Sequence, residues 1–456
     1  MRFALKTTLL VLCGAAALSA ADAPRRLRIP YEMFHLENGL TVIVHEDHSV
    51  PIATVNTWYH VGSARERPGR TGLAHFFEHL MFEGSKNVPE GSFDRWLEAV
   101  GGSNNASTTE DRTNYYEDVP ASAVELPLFL ESDRMAHLLD TLTPQKVDGQ
   151  RDVVKNERRQ SVENAPYGMA DIYLNNALYP PDHPYHWPVI GSMDDLSAAT
   201  LADMSEFFRR YYAPGNACVV VAGDVDAKEV RTLAEKWFGD VPAGAPVEPM
   251  GTRPVRLDTE TRLVYEDQVQ LPRLYLRWPT PPTYAPADAA LDAASSVLAG
   301  GKNARLYKRL VYELQVAQDV SAYQASKPLV SSFDVVVTAR SGHTLEEIRA
   351  LVDEEIEKLR TEPPTERELE RFQNQAEAAF LRRLERVAGK ADQLNAYLFL
   401  AGNPDFFEED LARYRALSTF DVQAAVKRYL GSARLALSVV PTGKASLALA
   451  KSEVAK

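Results

Sequence analysis

The segment TGLAHFFEHLMFEG, residues 71–84, places two histidines four apart, with a glutamate between them, inside an otherwise apolar run. On an α-helix, residues three and four apart share a face, so His75, Glu78 and His79 point the same way. Two imidazoles at that spacing take adjacent corners of a tetrahedral zinc site, while Glu78, crowded against its neighbour, stands beside the open corner as a general base. The H-x-x-E-H order is the inverted form of the commoner zinc-protease helix motif. Leu73, Ala74, Phe76, Phe77, Leu80, Met81 and Phe82 surround it with apolar bulk, the dry setting in which zinc lowers the pKa of its water toward about 7. The plain alternative is a pair of core histidines capped by a glutamate, since a pattern with three fixed positions also arises by chance.

A catalytic zinc needs a third protein ligand. The helical stretch QRDVVKNERRQSVEN, residues 150–164, offers Glu157 and Glu163. Glu157 follows Val153 and Val154, where the helix turns from an apolar to a charged face, and is the choice. Its plain alternative is a surface glutamate paired with Arg158 or Lys155. His183 and His186 lie in the proline-rich PPDHPYHWP and read as loop packing rather than ligands. His45, His48 and His60 lie on or beside strands with no partner at ligand spacing.

Working outward, GLTVIVHED and PIATVNTWYHVGS alternate and are β-branched, which predicts an antiparallel strand pair ahead of the motif helix. A short helix SFDRWLEAV, a Gly101-Gly102 turn, a polar strand-like run SNNASTTEDRTNYYEDV and several helices follow. The interior strand ACVVVAGDV and a helix complete this half. Residues 242–254, PAGAPVEPMGTRP, hold four prolines and two glycines, which is linker chemistry. The second half then repeats the order of the first, with ADAALDAASSVLAGG in the place of the motif helix but without its polar groups. These features predict an α+β chain of two homologous domains, each an antiparallel sheet packed with helices: 28–241 carrying the zinc motif, the linker 242–254, and 255–445 without it.

The 456 residues are 45% hydrophobic and 25% charged with a net charge of -13, a globular composition that disfavours nucleic acid or an anionic membrane as partner. Residues 1–21, MRFALKTTLLVLCGAAALSAA, have the charged start, apolar run and small-residue end of a secretory signal peptide. They predict export, to a periplasm or to the exterior. Removing Cys13 with the signal leaves Cys218, in an interior strand, as the sole thiol, so no intramolecular disulfide forms. No later segment reaches the about eighteen apolar residues of a membrane span.

GLAHFFEHLMFEGS, GGSNNAST, VVKNERRQSVEN and HPYHWPVIGSMDDL, in this order, resemble the pitrilysin/insulinase family of zinc metallopeptidases in its shorter bacterial and mitochondrial-processing-like form. The resemblance runs over residues 30–440. It implies one zinc ion per chain on His75, His79 and Glu157, with Glu78 activating water for attack on a peptide bond. It further implies two such chains or half-molecules closing as a clamshell, and a peptide added as a β-strand along Asn105, Ala106 and Ser107.

Two departures matter. Many family members have a glutamate where this chain has Gln150, two helical turns before Glu157, so the shell behind that ligand is neutral here. The arginine and tyrosine that hold the substrate carbonyl in single-chain active relatives fall on Val311 and Gln318. Without that donor the rate falls on the order of a hundredfold. The expectation is therefore a zinc endopeptidase subunit acting on peptides or unfolded chains and working as a heterodimer with a homologous partner that carries the arginine and tyrosine. The alternatives are a non-catalytic peptide-binding or assembly subunit, or a peptidase dedicated to one precursor.

Overall fold

The computed structural model describes residues 27–455, so the expected signal peptide and Cys13 lie outside the described residues. In the first half, β1 (Glu32–His35), β2 (Thr41–Glu46) and β3 (Ile52–Tyr59) precede α1 (Leu73–Leu80) and α2 (Ser92–Ala99). A hairpin of β4 (Ser103–Thr108) and β5 (Thr113–Pro120) follows. Then come α3 (Glu125–Thr141), α4 (Pro144–Arg158), α5 (Ala170–Leu178), α6 (Met193–Ala198) and α7 (Leu201–Tyr211), closed by β6 (Ala217–Gly223) and α8 (Ala227–Phe238). The second half opens with β7 (Thr261–Asp267), β8 (Arg273–Thr280), α9 (Asp288–Ala299), β9 (Ala317–Ala325) and β10 (Ser331–Ala339). It continues through α10 (Leu345–Thr361), α11 (Glu366–Arg383), α12 (Val387–Ala401), α13 (Phe407–Arg415) and α14 (Thr419–Tyr429) to β11 (Leu435–Pro441) and β12 (Glu453–Val454). Residues 242–254 carry neither helix nor strand.

Each half builds a six-stranded sheet, in the orders β1-β2-β6-β3-β5-β4 and β12-β7-β11-β8-β10-β9. From the second strand of each order onward the positions correspond one for one, and α9 follows β8 as α1 follows β3, which is the duplication expected from the repeated order of elements. The expected direct pairing of the first two long strands is corrected: β2 and β3 both pair with β6, and β7 and β8 both pair with β11. The inserted strand wins the centre because its residues are apolar throughout. All seven residues of β6 and all seven of β11 are buried, which only a position covered on both faces permits. The β2–β6 and β7–β11 pairs are parallel while the others among the long strands are antiparallel, and the long helical crossover before β6 allows that.

The two halves exchange helices. Ala170, Leu174 and Leu178 of α5 pack on Leu263, Tyr275, Leu435 and Leu437 of the second sheet. Reciprocally, Ala391, Leu394 and Tyr397 of α12 pack on Ile43, Cys218 and Val220 of the first. Each fully buried large aliphatic contributes about 1.5–3 kcal/mol, so these two seams join the halves far more firmly than the linker does. Cys218 is buried, as its strand implied, and burial pushes its thiol up. The remaining face of the first sheet is covered by a core that includes Phe76, Phe77 and Leu80 of α1, which fixes the motif helix against the sheet.

Candidate metal centre

The motif helix begins at a tight corner. Gly72 precedes it with φ 87°, and a Cβ there would meet the Ile190 carbonyl at 2.8 Å, so glycine is required on two counts. Gly72 has no side chain to cap the helix, and Glu66 does so from a distance, accepting the Gly72 and Ala74 amides at 2.8 Å each. Burial pushes the Glu66 carboxyl up to about 8, opposed by the backbone amides of Ala74, Gly72 and Leu73. Leu73, Ala74, Phe76, Phe77 and Leu80 then turn inward, which leaves the other face of α1 to His75, Glu78 and His79.

α4 lies alongside. Thr143 caps its start and Pro144 opens its first turn. Its last residues bring Glu157 to the histidines: Nε2 of His79 is 3.2 Å from Oε2 of Glu157, and Nε2 of His75 is 3.7 Å from Oε1. These separations bracket the about 3.4 Å edge of a tetrahedron built on about 2.1 Å bonds. One donor atom from each residue lies within 4.8 Å of the other two. Burial lowers the pKa of His75, the direction that leaves it neutral and able to ligate, and its hydrogen bond with His79 lowers that of Glu157. Two imidazole nitrogens and a carboxylate facing one another, with one corner unclaimed, fit a catalytic zinc. The plain reading of Glu157 as a surface glutamate paired with Arg158 or Lys155 fails: Arg158 turns to Glu163 and to the Gly191 carbonyl, and Lys155 to the Ser197 hydroxyl.

Glu78, between the two histidines, accepts a hydrogen bond at Oε2 from the Thr108 hydroxyl at 2.5 Å. Thr108 ends β4, the edge strand of the first sheet, on which Asn105, Ala106 and Ser107 also lie. The polar run read as one long strand is thus a hairpin, turned at Thr109–Arg112. Asn105 is exposed and its side chain accepts the Ala106 amide, while Ser107 bonds Asn114 across the hairpin.

The expectation that Gln150 backs Glu157 is corrected. Its amide donates to Glu83 at 2.5 Å, one helical turn beyond His79, because α4 passes the end of α1 at that point. Glu83 and Thr108 were not identified from sequence; the i, i+4 spacing of Glu83 from His79 was the available signal. Val311 packs half-buried against the second core, and Gln318 is exposed on the edge strand β9. Neither side chain makes a hydrogen bond or ion pair with the site among the described residues. His183 and His186 bond the carbonyls of Arg253 and Tyr179, in keeping with loop packing. His48 pairs with Asp224 on the surface, and His60 stacks on Phe399, its pKa pulled down to about 4 by burial.

Comparison with known proteins matches residues 41–180 to the family described as Insulinase (Peptidase family M16) and residues 198–376 to the Peptidase M16 inactive domain. A Helicobacter pylori protein named zinc protease PqqE is 31% identical over 398 residues, spanning 86% of this chain and 88% of its own. The chain belongs to the insulinase family of peptidases. The mitochondrial-processing peptidase subunit beta of Blastocladiella emersonii is 29% identical over 232 residues, covering 51% of this chain and 49% of that subunit. Among solved structures, that of a protease from Helicobacter pylori superposes with a TM-score of 0.85 at 28% identity, over 91% of this chain and all of that one. The two-domain α+β architecture of this insulinase-family chain matches those of its structural neighbours.

Proposed function

We propose that the chain is a zinc-dependent endopeptidase subunit, exported from the cytoplasm, that hydrolyses peptides or unfolded polypeptides inside a closed chamber. The observation that carries this reading is the convergence of His75, His79 and Glu157 from two helices with Glu78 beside them. Zinc held by these three would supply Lewis acidity, polarising a carbonyl and bringing water toward ionisation near neutral pH. Glu78 takes a proton from the attacking water at Oε1, the oxygen Thr108 leaves free, while the water oxygen bonds the scissile carbonyl carbon. It returns the proton to the leaving nitrogen as the C–N bond breaks. The polar edge strand β4, which carries Asn105, Ala106 and Ser107, accepts the peptide through those of its main-chain groups that face away from β5, and such hydrogen bonds tolerate many sequences.

Val311 and Gln318 carry no positive charge. A homologous partner bearing the missing arginine and tyrosine completes the carbonyl-binding side, so the working unit is a heterodimer. The same two residues favour, as a second reading, a peptide-binding or assembly subunit without turnover. Both are tested by hydrolysis of a quenched fluorescent peptide by the zinc-loaded chain, alone and mixed with a candidate partner. Cleavage that appears only in the mixture and is lost in Glu78→Gln supports the split site. Full activity of the chain alone removes the partner, and zinc without cleavage in any mixture favours the binding subunit.

A further inference from the structure

Among the described residues, the Glu78 carboxylate receives a single hydrogen bond, from the hydroxyl of Thr108. That hydroxyl has one proton to give. Its other close neighbour, the fully buried Thr113 hydroxyl at 3.4 Å, donates its own proton to the Val61 carbonyl at 2.9 Å. The Thr108 proton is therefore committed to Glu78.

The backbone of Thr108 faces elsewhere. The Thr109 amide donates to the Arg112 carbonyl at 2.8 Å, making 109 and 112 a hydrogen-bonded pair. By the alternation of antiparallel ladders, the next pair, Thr108 and Thr113, turns its main-chain groups away from one another, so those of Thr108 face the open side of β4. The same holds for Ala106 opposite Tyr115, whose amide is taken up by the Asn105 side chain instead of by β5. The turn is held from both sides. Glu110 pairs with the half-buried Lys327 of the second half at 2.5 Å, and Gly62 lies so close that a Cβ there would strike the Thr109 carbonyl at 2.2 Å.

We propose that Thr108 is the positioning residue of this site, its hydroxyl fixing one oxygen of Glu78 while its main chain lies on the edge that receives the peptide. One residue thus sets the base and the scissile bond in a common register. The inference rests on the peptidase reading above. Anchoring Oε2 leaves Oε1 as the oxygen that meets water, and a base misplaced by about 1 Å costs on the order of a hundredfold in rate.

The test compares Thr108→Val, which keeps the shape without the hydroxyl, with Thr108→Ser, which keeps the hydroxyl, in the zinc-loaded chain with its activating partner where one is needed. Thr108→Val is expected to lower kcat by about tenfold or more with KM changed by less than about twofold, and Thr108→Ser to retain most of kcat. Zinc content stays at the wild-type level in both. A crystal structure of zinc-loaded Thr108→Val is expected to show the Glu78 carboxylate displaced. Wild-type kcat in Thr108→Val, an equal loss in Thr108→Ser, or an unmoved Glu78 overturns the proposal. If the wild type binds zinc but cleaves no peptide, the peptidase reading fails, and the position of Glu78 in the Thr108→Val crystal still decides the role of Thr108.

Discussion

Oε2 of Glu157 lies 3.2 Å from Nε2 of His79, although the β4–β5 hairpin and α3 separate them along the chain. The contact exists because α4 packs along the polar face of α1. Removing Glu157 leaves two donors where a catalytic zinc takes three. Glu157→Ala is expected to lose zinc affinity by more than the about 10–100-fold that an outer-shell change costs. Glu78→Gln keeps zinc and loses about a hundredfold or more in kcat. Competition with a chelator and peptide hydrolysis separate the two effects.

In the proposed split site, Val311 and Gln318 occupy the positions whose arginine and tyrosine the partner supplies. Installing both, as Val311→Arg with Gln318→Tyr, is expected to raise hydrolysis by the chain alone on the order of a hundredfold, the worth of one preorganised donor. The rate measured without any partner checks it, with circular dichroism to confirm folding, since Val311 packs against the second core.

Arg134 is fully buried, stacked among Phe82, Phe93 and Tyr115, and bonded to the buried carboxylates of Glu117 and Glu131. The Glu117 pKa is pushed well up by burial and by Glu131. Arg134→Met strands both acids and is expected to cost about 3–5 kcal/mol. Urea unfolding measures it, and restoring neutrality with Glu131→Gln recovers part of the loss.

Lys390 of α12 pairs with Asp47 in the β2–β3 connection, tying the halves together beside their apolar seam. Its hydrogen bond holds the Asp47 carboxyl well below the usual range, so the stabilisation is present above the ordinary aspartate value of about 3.9 and is lost as pH falls through the depressed one. Lys390→Met is expected to lower stability by about 1 kcal/mol at neutral pH, and by progressively less in strong acid. Unfolding followed from pH 7 down to acid well below pH 3 checks it.

Much of the site was legible because its information is local. The three-residue face of α1 follows from helical spacing, and Glu157 from the change of polarity along α4. The central places of β6 and β11 were not legible, since an apolar strand announces burial but not its neighbours, and two strands adjacent in sequence were paired that the fold separates. Gln150 was placed behind Glu157 by the family resemblance, yet the partner it meets, Glu83, is decided by where α4 crosses α1. Thr108 was missed for the same reason: its hydroxyl matters only because the hairpin returns beneath the helix. What pattern reads well is which face an element buries; what it reads poorly is which element arrives to cover it.

X-ray absorption at the zinc edge, on chain reconstituted with one equivalent of zinc, tests the metal centre most directly. The geometry predicts a four-coordinate site with two imidazoles and oxygen donors at about 2.0–2.1 Å, and loss of one imidazole shell in His75→Ala. A spectrum with sulfur ligation, or one unchanged by both His75→Ala and Glu157→Ala, would place the metal elsewhere and remove His75, His79 and Glu157 as its ligands.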